Sequence, residues 1–187
     1  MQSCNTLGFL TTSQIQRLHS LSGRRNALRI LNAIQDEGYL NNFHEGELVW
    51  YLSAKGRREI GSEIVRKRSP LVQHTIMRNE VYVTYQPDVF KAEYPVRWDG
   101  RELVADAIFR KNGVYTFLEI DITQSMTANE KKIVAYRELR ESGKWQAKYG
   151  AFPTVMFVTT SEHRRQKLRG LCGDLKAEVM TFNDIKP

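Results

Sequence analysis

An α+β chain in two parts is what this sequence predicts: a small helical segment closed by a β-hairpin, then a larger segment in which helices cover a mixed sheet. Three observations carry that expectation. Apolar residues repeat at helical spacing between residues 15 and 34. The pattern then changes to strand-like runs directly after Gly38. Further on, Asn112-Gly113, the strongest short hairpin signal, separates two more strand-like runs.

Composition sets the limits. The 187 residues are 41% hydrophobic and 26% charged, enough for one large or two small domains with real cores. Apolar runs are short and interrupted (Asp106 breaks Val104 to Phe109), so no membrane span is expected. The N-terminus has no charged start followed by an apolar stretch, so a secretory signal is not expected either. With only Cys4 and Cys172, a disulfide scaffold and a cysteine-based zinc cluster are excluded, and a reducing, cytoplasmic setting is expected. The net charge is +7; residues 1–69 hold ten Lys/Arg against six Asp/Glu, and Arg17, Arg24, Arg25 and Arg29 all precede the first acid, Asp36. Clustered cations on a small segment suit a polyanion, since phosphate contacts supply most non-specific affinity.

In the first part, Thr11 or Thr12 is placed to cap a helix, with Gln14 at capping-box spacing from Thr11. Ile15, Leu18 and Leu21 form its apolar stripe. Ser22-Gly23 breaks the pattern, and a second helix runs from about Arg24 to Glu37, stopped by Gly38. Ala27, Ile30, Leu31 and Ile34 face a core, leaving Arg25, Arg29 and Asn32 opposite, with Arg24 and Asn26 in the first turn. Arg and Asn donors in front of an apolar back are what a recognition helix needs to reach phosphates and base edges. Two short strands, Tyr39-Leu40 and Leu48 to Leu52, then flank a polar loop from Asn41 to Gly46. A helix carrying Lys55, Arg57 and Arg58 starts near Ser53. Helix, break, helix, hairpin is the order of a winged helix-turn-helix. The run Tyr51-Leu52-Ser53-Ala54-Lys55-Gly56-Arg57 resembles the exit from the wing in many winged-helix repressors. Arg24, Arg25, Asn26, Arg29, Asn32 and Lys55 are therefore the candidate DNA-binding residues.

Arg66-Lys67-Arg68-Ser69-Pro70 reads as the boundary, with Ser69 as N-cap and Pro70 at the first helical position. The expected domains are 1–68 and 69–187. A helix over 71–85, a strand from Tyr94 to Asp99, and strands Leu103 to Phe109 and Val114 to Ile122 follow. If Asn112 and Gly113 form a two-residue turn, Lys111 pairs with Val114, and that register sets Asp106 opposite Glu119. Period-two alternation puts Asp121 on the same face as Glu119. Facing carboxylates repel, so a cation, a Lys or Arg, or a shared proton must compensate. Hard oxygen ligands so clustered suit Mg²⁺ or Mn²⁺, with Asp106 and Glu119 as the metal ligands. A helix from about Thr127 to Glu141 places Lys132 and Tyr136 one turn apart on one face. A strand (Pro153 to Thr160), a basic helix (Ser161 to Cys172) and a last strand (Ala177 to Phe182) complete the chain.

That order, with Asp106 followed by Glu119-Ile120-Asp121, resembles the PD-(D/E)xK nuclease fold. More narrowly, the chain resembles the replication-relaxation family of plasmid and phage proteins, which join a winged helix to such a domain. The residues carrying the likeness are Gly56-Arg57, His74, Val104-Ala105-Asp106-Ala107, Glu119-Ile120-Asp121-Ile122-Thr123, and Lys132 to Tyr136. One departure stands out: Asp121 occupies the place where an active nuclease of this fold has Lys, and Lys132 is the substitute the following helix offers. The resemblance implies a double-stranded DNA-binding protein of a mobile element that regulates replication or transcription. Its second domain would add DNA contacts or make a homodimer. The alternative is a metal-dependent DNA endonuclease or nickase with Asp106, Glu119, Asp121 and Lys132 as catalytic residues. A protein-interaction module is a third reading. The four histidines have no metal-ligand spacing, and no phosphate-binding glycine loop occurs.

Overall fold

Capping and turn signals fix where most elements begin. The computed structural model of the chain describes residues 1–186; Pro187, the last residue of the expected second domain, lies outside the described residues. It is an α+β chain that divides into two compact units, Met1–Val83 and Thr84 onward.

The first unit opens with α1 (Gln2–Leu7), a helix that no sequence signal announces, and β1 (Leu10–Thr11). Thr11 then caps α2 (Thr12–Leu18) through a full capping box. Its hydroxyl accepts from the Gln14 N–H at 3.1 Å, while the Gln14 side chain accepts from the Thr11 N–H at 3.1 Å. The α3 helix (Gly23–Asp36) ends ahead of Gly38, whose φ of 79° is a conformation that glycine adopts without strain. The segment expected as a polar loop is strand: β2 (Leu40–Glu45) and β3 (Glu47–Leu52) pair antiparallel up to a tight turn at Gly46. Tertiary packing overrides the polar composition here, because Phe43 sits 5.8 Å from the Phe9 ring and 5.9 Å from that of Tyr51. The sheet order is β1-β3-β2.

Ser53 caps α4 (Ala54–Glu59) by accepting from the Gly56 N–H. Gly56 is required there: a Cβ would lie 2.1 Å from the Tyr39 carbonyl oxygen. The α5 helix (Val72–Tyr85) begins two residues later than Pro70, with the Ser69 hydroxyl accepting from the Leu71 N–H at 3.3 Å. Most of α5 belongs to the first unit, so the division falls at 83/84 and not at the expected 68/69. Buried polar contacts explain this. Asn79 donates to the carbonyls of Leu7 and Phe9 at 2.8 Å each, and Gln14 donates to the Ile76 carbonyl and the Glu80 carboxylate at 2.9 and 3.0 Å. No periodicity announces such bonds between residues more than sixty positions apart.

The second unit is built on β4 (Val89–Trp98), β5 (Arg101–Lys111) and β6 (Val114–Asp121), then α6 (Met126–Glu141) and α7 (Lys144–Tyr149), the latter not expected from the sequence. After it come β7 (Thr154–Thr159), α8 (Glu162–Cys172), β8 (Ala177–Thr181) and the short, also unexpected, α9 (Phe182–Ile185). The sheet runs β4-β5-β6-β7-β8, antiparallel through β6 and parallel from β6 to β8, so it is mixed. Asn112 (φ 50°) and Gly113 (φ 79°) make the two-residue turn with Lys111 opposite Val114. Odd-numbered residues of β6 face α6, where Phe117 packs 5.2 Å from the Tyr136 ring and 4.9 Å from Trp145. Leu118 and Ile120 are buried on the other face. Trp50, Trp98 and Trp145 are all buried.

Candidate functional site

Two charged assemblies stand out, one in each unit. In the first, Arg25, Arg29 and Asn32 are exposed on α3, and at about 100° per residue they fall within an arc of roughly 60°. Arg25 makes no hydrogen bond or ion pair among the described residues, and Arg29 only donates to the Asn26 side-chain carbonyl at 3.1 Å. The other candidates on this segment are engaged within the unit. Arg24 pairs with Glu47 at 2.9 Å and donates to Ser13, tying α3 to the start of β3. Asn26 donates to Ser22 at 3.5 Å. Lys55 lies away from that arc: its Nζ donates to the Glu37 carbonyl at 2.7 Å and sits 4.3 Å from the Tyr39 ring centre, where a cation complements the C-terminal end of α3.

The second assembly lies between the sheet and α6. The observed hairpin register runs from Lys111↔Val114 to Ala107↔Leu118, and one step further stand Asp106 and Glu119. Lys132 bridges the two, 3.9 Å from Asp106 Oδ1 and in direct ion-pair contact with Glu119 Oε2. One turn along α6, the Tyr136 hydroxyl donates to Glu119 Oε1 at 2.5 Å. Asp106 Oδ2 accepts from the Ile120 N–H at 2.7 Å. Burial pushes Glu119 up, to about 8, against the pull of Lys132, and the nearby Asp106 adds to the rise. Burial also lifts the Tyr136 hydroxyl well above its usual range, and the Glu119 charge pushes the same way. Burial would lower Lys132, but Glu119 and Asp106 outweigh it and hold the ammonium above its usual value.

Asp121 shares the face of Glu119 but not its partners. Arg164 of α8 grips it with two bonds, Nε to Oδ2 at 2.7 Å and Nη2 to Oδ1 at 2.6 Å. Thr159 and Asn129 donate to it at 2.8 and 2.9 Å. Burial alone would raise this carboxyl; the hydrogen bonds from Arg164, Asn129 and Thr159 outweigh it and hold the group below its ordinary range. Sequence reasoning does not single out Arg164, Asn129 or Thr159. Asn129 had a signal, since it precedes Lys132 by one turn on the same helix face. Arg164 and Thr159 had none, because the parallel pairing of Asp121 with Thr159 is a tertiary fact.

As arranged, this cluster does not fit a divalent ion. Mg²⁺ calls for an octahedral set of oxygens, whereas a lysine ammonium lies on both Asp106 and Glu119 and the third carboxylate is held by Arg164. Among the described residues, no group of three or more His, Cys, Asp or Glu is placed to hold a metal. The described histidines do not gather either; His19 bonds Ser3 at 2.9 Å. No described helix is long and apolar enough to cross a membrane.

Comparison with known proteins gives one family. The model described as replication-relaxation matches residues 1–155. No curated protein matches. Among solved structures, the chain is similar to protein VC1899 from Vibrio cholerae at 13% identity and a TM-score of 0.42, with 89% of this chain and 41% of that one covered. The chain thus spans about two-fifths of that protein's length.

Proposed function

The chain belongs to the replication-relaxation family, and on that premise we propose that it is a double-stranded DNA-binding protein of a mobile element, acting on replication or transcription. In this reading the first unit is a winged helix. The element order α1-β1-α2-α3-β2-β3 and the sheet order β1-β3-β2 support it, with α3 as recognition helix and β2–β3 as wing. The observation that carries the reading is the exposed arc of Arg25, Arg29 and Asn32, whose arginines have no carboxylate partner among the described residues and are open to phosphates and base edges. The second unit, read as a PD-(D/E)xK-like domain, adds DNA contacts or joins two copies.

The alternative is a metal-dependent endonuclease or nickase. The meeting of Asp106, Glu119 and Lys132 speaks for it, and it ranks second because the Lys132 ammonium already sits against both carboxyl groups and Asp121 is tied to Arg164.

Replacing Arg25 and Arg29 together with Ala tests the first reading. Duplex affinity should fall, and the salt dependence should flatten by roughly 0.9 log unit for each phosphate no longer neutralised. Gel shifts across a salt series read both quantities. Unchanged affinity and slope would remove α3 as the binding surface.

A further inference from the structure

A second surface with the chemistry of nucleic-acid recognition lies in the other unit, at the β4 edge of the sheet. Tyr94 and Arg97 of β4 face Lys144, Trp145, Lys148 and Tyr149 of α7 across a partly open pocket of about 180 Å³. An apolar cavity of about 150 Å³ accommodates benzene, so this one has room for a single ring system of base size. Its floor is aromatic. Trp145 and Tyr149 lie 4.4 Å apart at a tilt of 35°, and Tyr115 backs Tyr149 at 5.6 Å. Tyr149 is 38% exposed although it is packed on a buried tryptophan. A large aromatic ring held rigidly at the surface is a platform on which another ring can stack.

The rim is cationic. Lys148 sits 5.1 Å from the centre of the Tyr149 ring. Lys144 pairs with Asp99 at 3.3 Å, and Arg97 pairs with Glu102. Both pairs are solvent-exposed, and exposed pairs of this kind contribute little, so phosphate oxygens can replace the carboxylates. The indole N–H of Trp145 is buried and has no hydrogen-bond partner among the described residues. Duplex DNA keeps its base faces stacked and out of reach; only an unpaired base offers a face to Tyr149.

We propose that this pocket binds single-stranded DNA, with one unpaired base stacked on Tyr149 and the flanking phosphates on Arg97, Lys144 and Lys148. None of these residues belongs to the α3 surface, so this proposal and the duplex-binding reading stand or fall separately.

Fluorescence anisotropy with a labelled oligo-dT and with a labelled duplex, on the full chain, tests it. Tyr149→Ala should weaken oligo-dT binding by on the order of tenfold, as expected when one stacking ring is removed, and leave duplex binding unchanged. Lys148→Glu, at a fully exposed position where folding is not at risk, should do the same and reduce the salt dependence. Arg25→Ala with Arg29→Ala should show the opposite pattern. Oligo-dT binding that survives both Tyr149→Ala and Lys148→Glu overturns the proposal, as does equal weakening of duplex and single strand. Free dTMP binding without oligo-dT binding also overturns it, since the pocket would then be a nucleotide site closed to a continuous strand.

Discussion

The outer face of α3 and the carboxylate cluster beneath α6 use charge in opposite ways. Arg25 and Arg29 are exposed and have no carboxylate partner among the described residues, and their one hydrogen bond there joins Arg29 to Asn26 on the same helix. Asp121 is buried and Arg164 partly so, the two locked together by two bonds and supported by Asn129 and Thr159. A buried charge must be matched inside the protein, because its desolvation is costly. An exposed charge is solvated by water and needs no partner within the fold. The difference makes the Asp121–Arg164 pair part of the frame, and leaves Arg25 and Arg29 free for the duplex contact proposed above. Glu119 and Lys132 fall between: buried and paired, yet next to an Asp106 that remains partly exposed.

The largest expected effect probes the frame. Asp121→Asn leaves the Arg164 charge facing a neutral amide in a mostly buried place, and should destabilise the protein by about 3 kcal/mol. Urea unfolding measures it, with duplex affinity as the companion readout. A decrease below about 1 kcal/mol, the size expected of surface pairs, would break the contrast between the two regions.

A second effect concerns pH. Burial pushes the Glu119 carboxyl up to about 8 in the folded chain, against 4.5 for an ordinary carboxyl. Between those values the folded state binds more protons than the unfolded one, so stability falls as pH rises. Glu119→Gln has no proton to release and should show a flatter stability profile across that window. Parallel profiles for the two proteins would mean that Lys132 keeps Glu119 ionised throughout.

The smallest expected effect is none. With Lys132 lying on Asp106 and Glu119, adding Mg²⁺ or Mn²⁺ should leave the Tm of the wild-type protein unchanged and plasmid DNA uncut. Lys132→Ala removes the resident cation, and Mg²⁺ should then raise Tm by mass action. A metal-dependent rise in the wild-type protein, accompanied by cutting that Asp106→Asn abolishes, would move this cluster from the frame to the chemistry and promote the endonuclease.

Much of this was legible from sequence wherever the determinant was local. Thr11 with Gln14 announces one helix start, and the helices expected from near Ser53 and from Ser161 begin at those residues. Asn112-Gly113 sets the turn and, through it, the register that brings Asp106 to the level of Glu119. Helical spacing separates the buried Ala27 and Leu31 from the exposed Arg25 and Arg29. Short helices without strong caps left no such trace. In α1 no side chain caps the N-terminus, and α7 begins at a left-handed Gly143, so contacts from outside each helix hold it.

What the sequence determined by itself were the periods, caps and turns, because each depends on backbone geometry over a few residues. The tertiary structure decided which charges meet. Asp121 and Lys132 are eleven positions apart and were expected to share a site, yet the parallel pairing of β6 with β7, and the helix that follows β7, deliver Arg164 to Asp121 and leave Lys132 to Glu119. Strand alternation selects a face of the sheet but not a partner on it. The partner is chosen by whichever opposite charge the crossover connections bring within hydrogen-bond reach, since a buried carboxylate cannot remain unmatched.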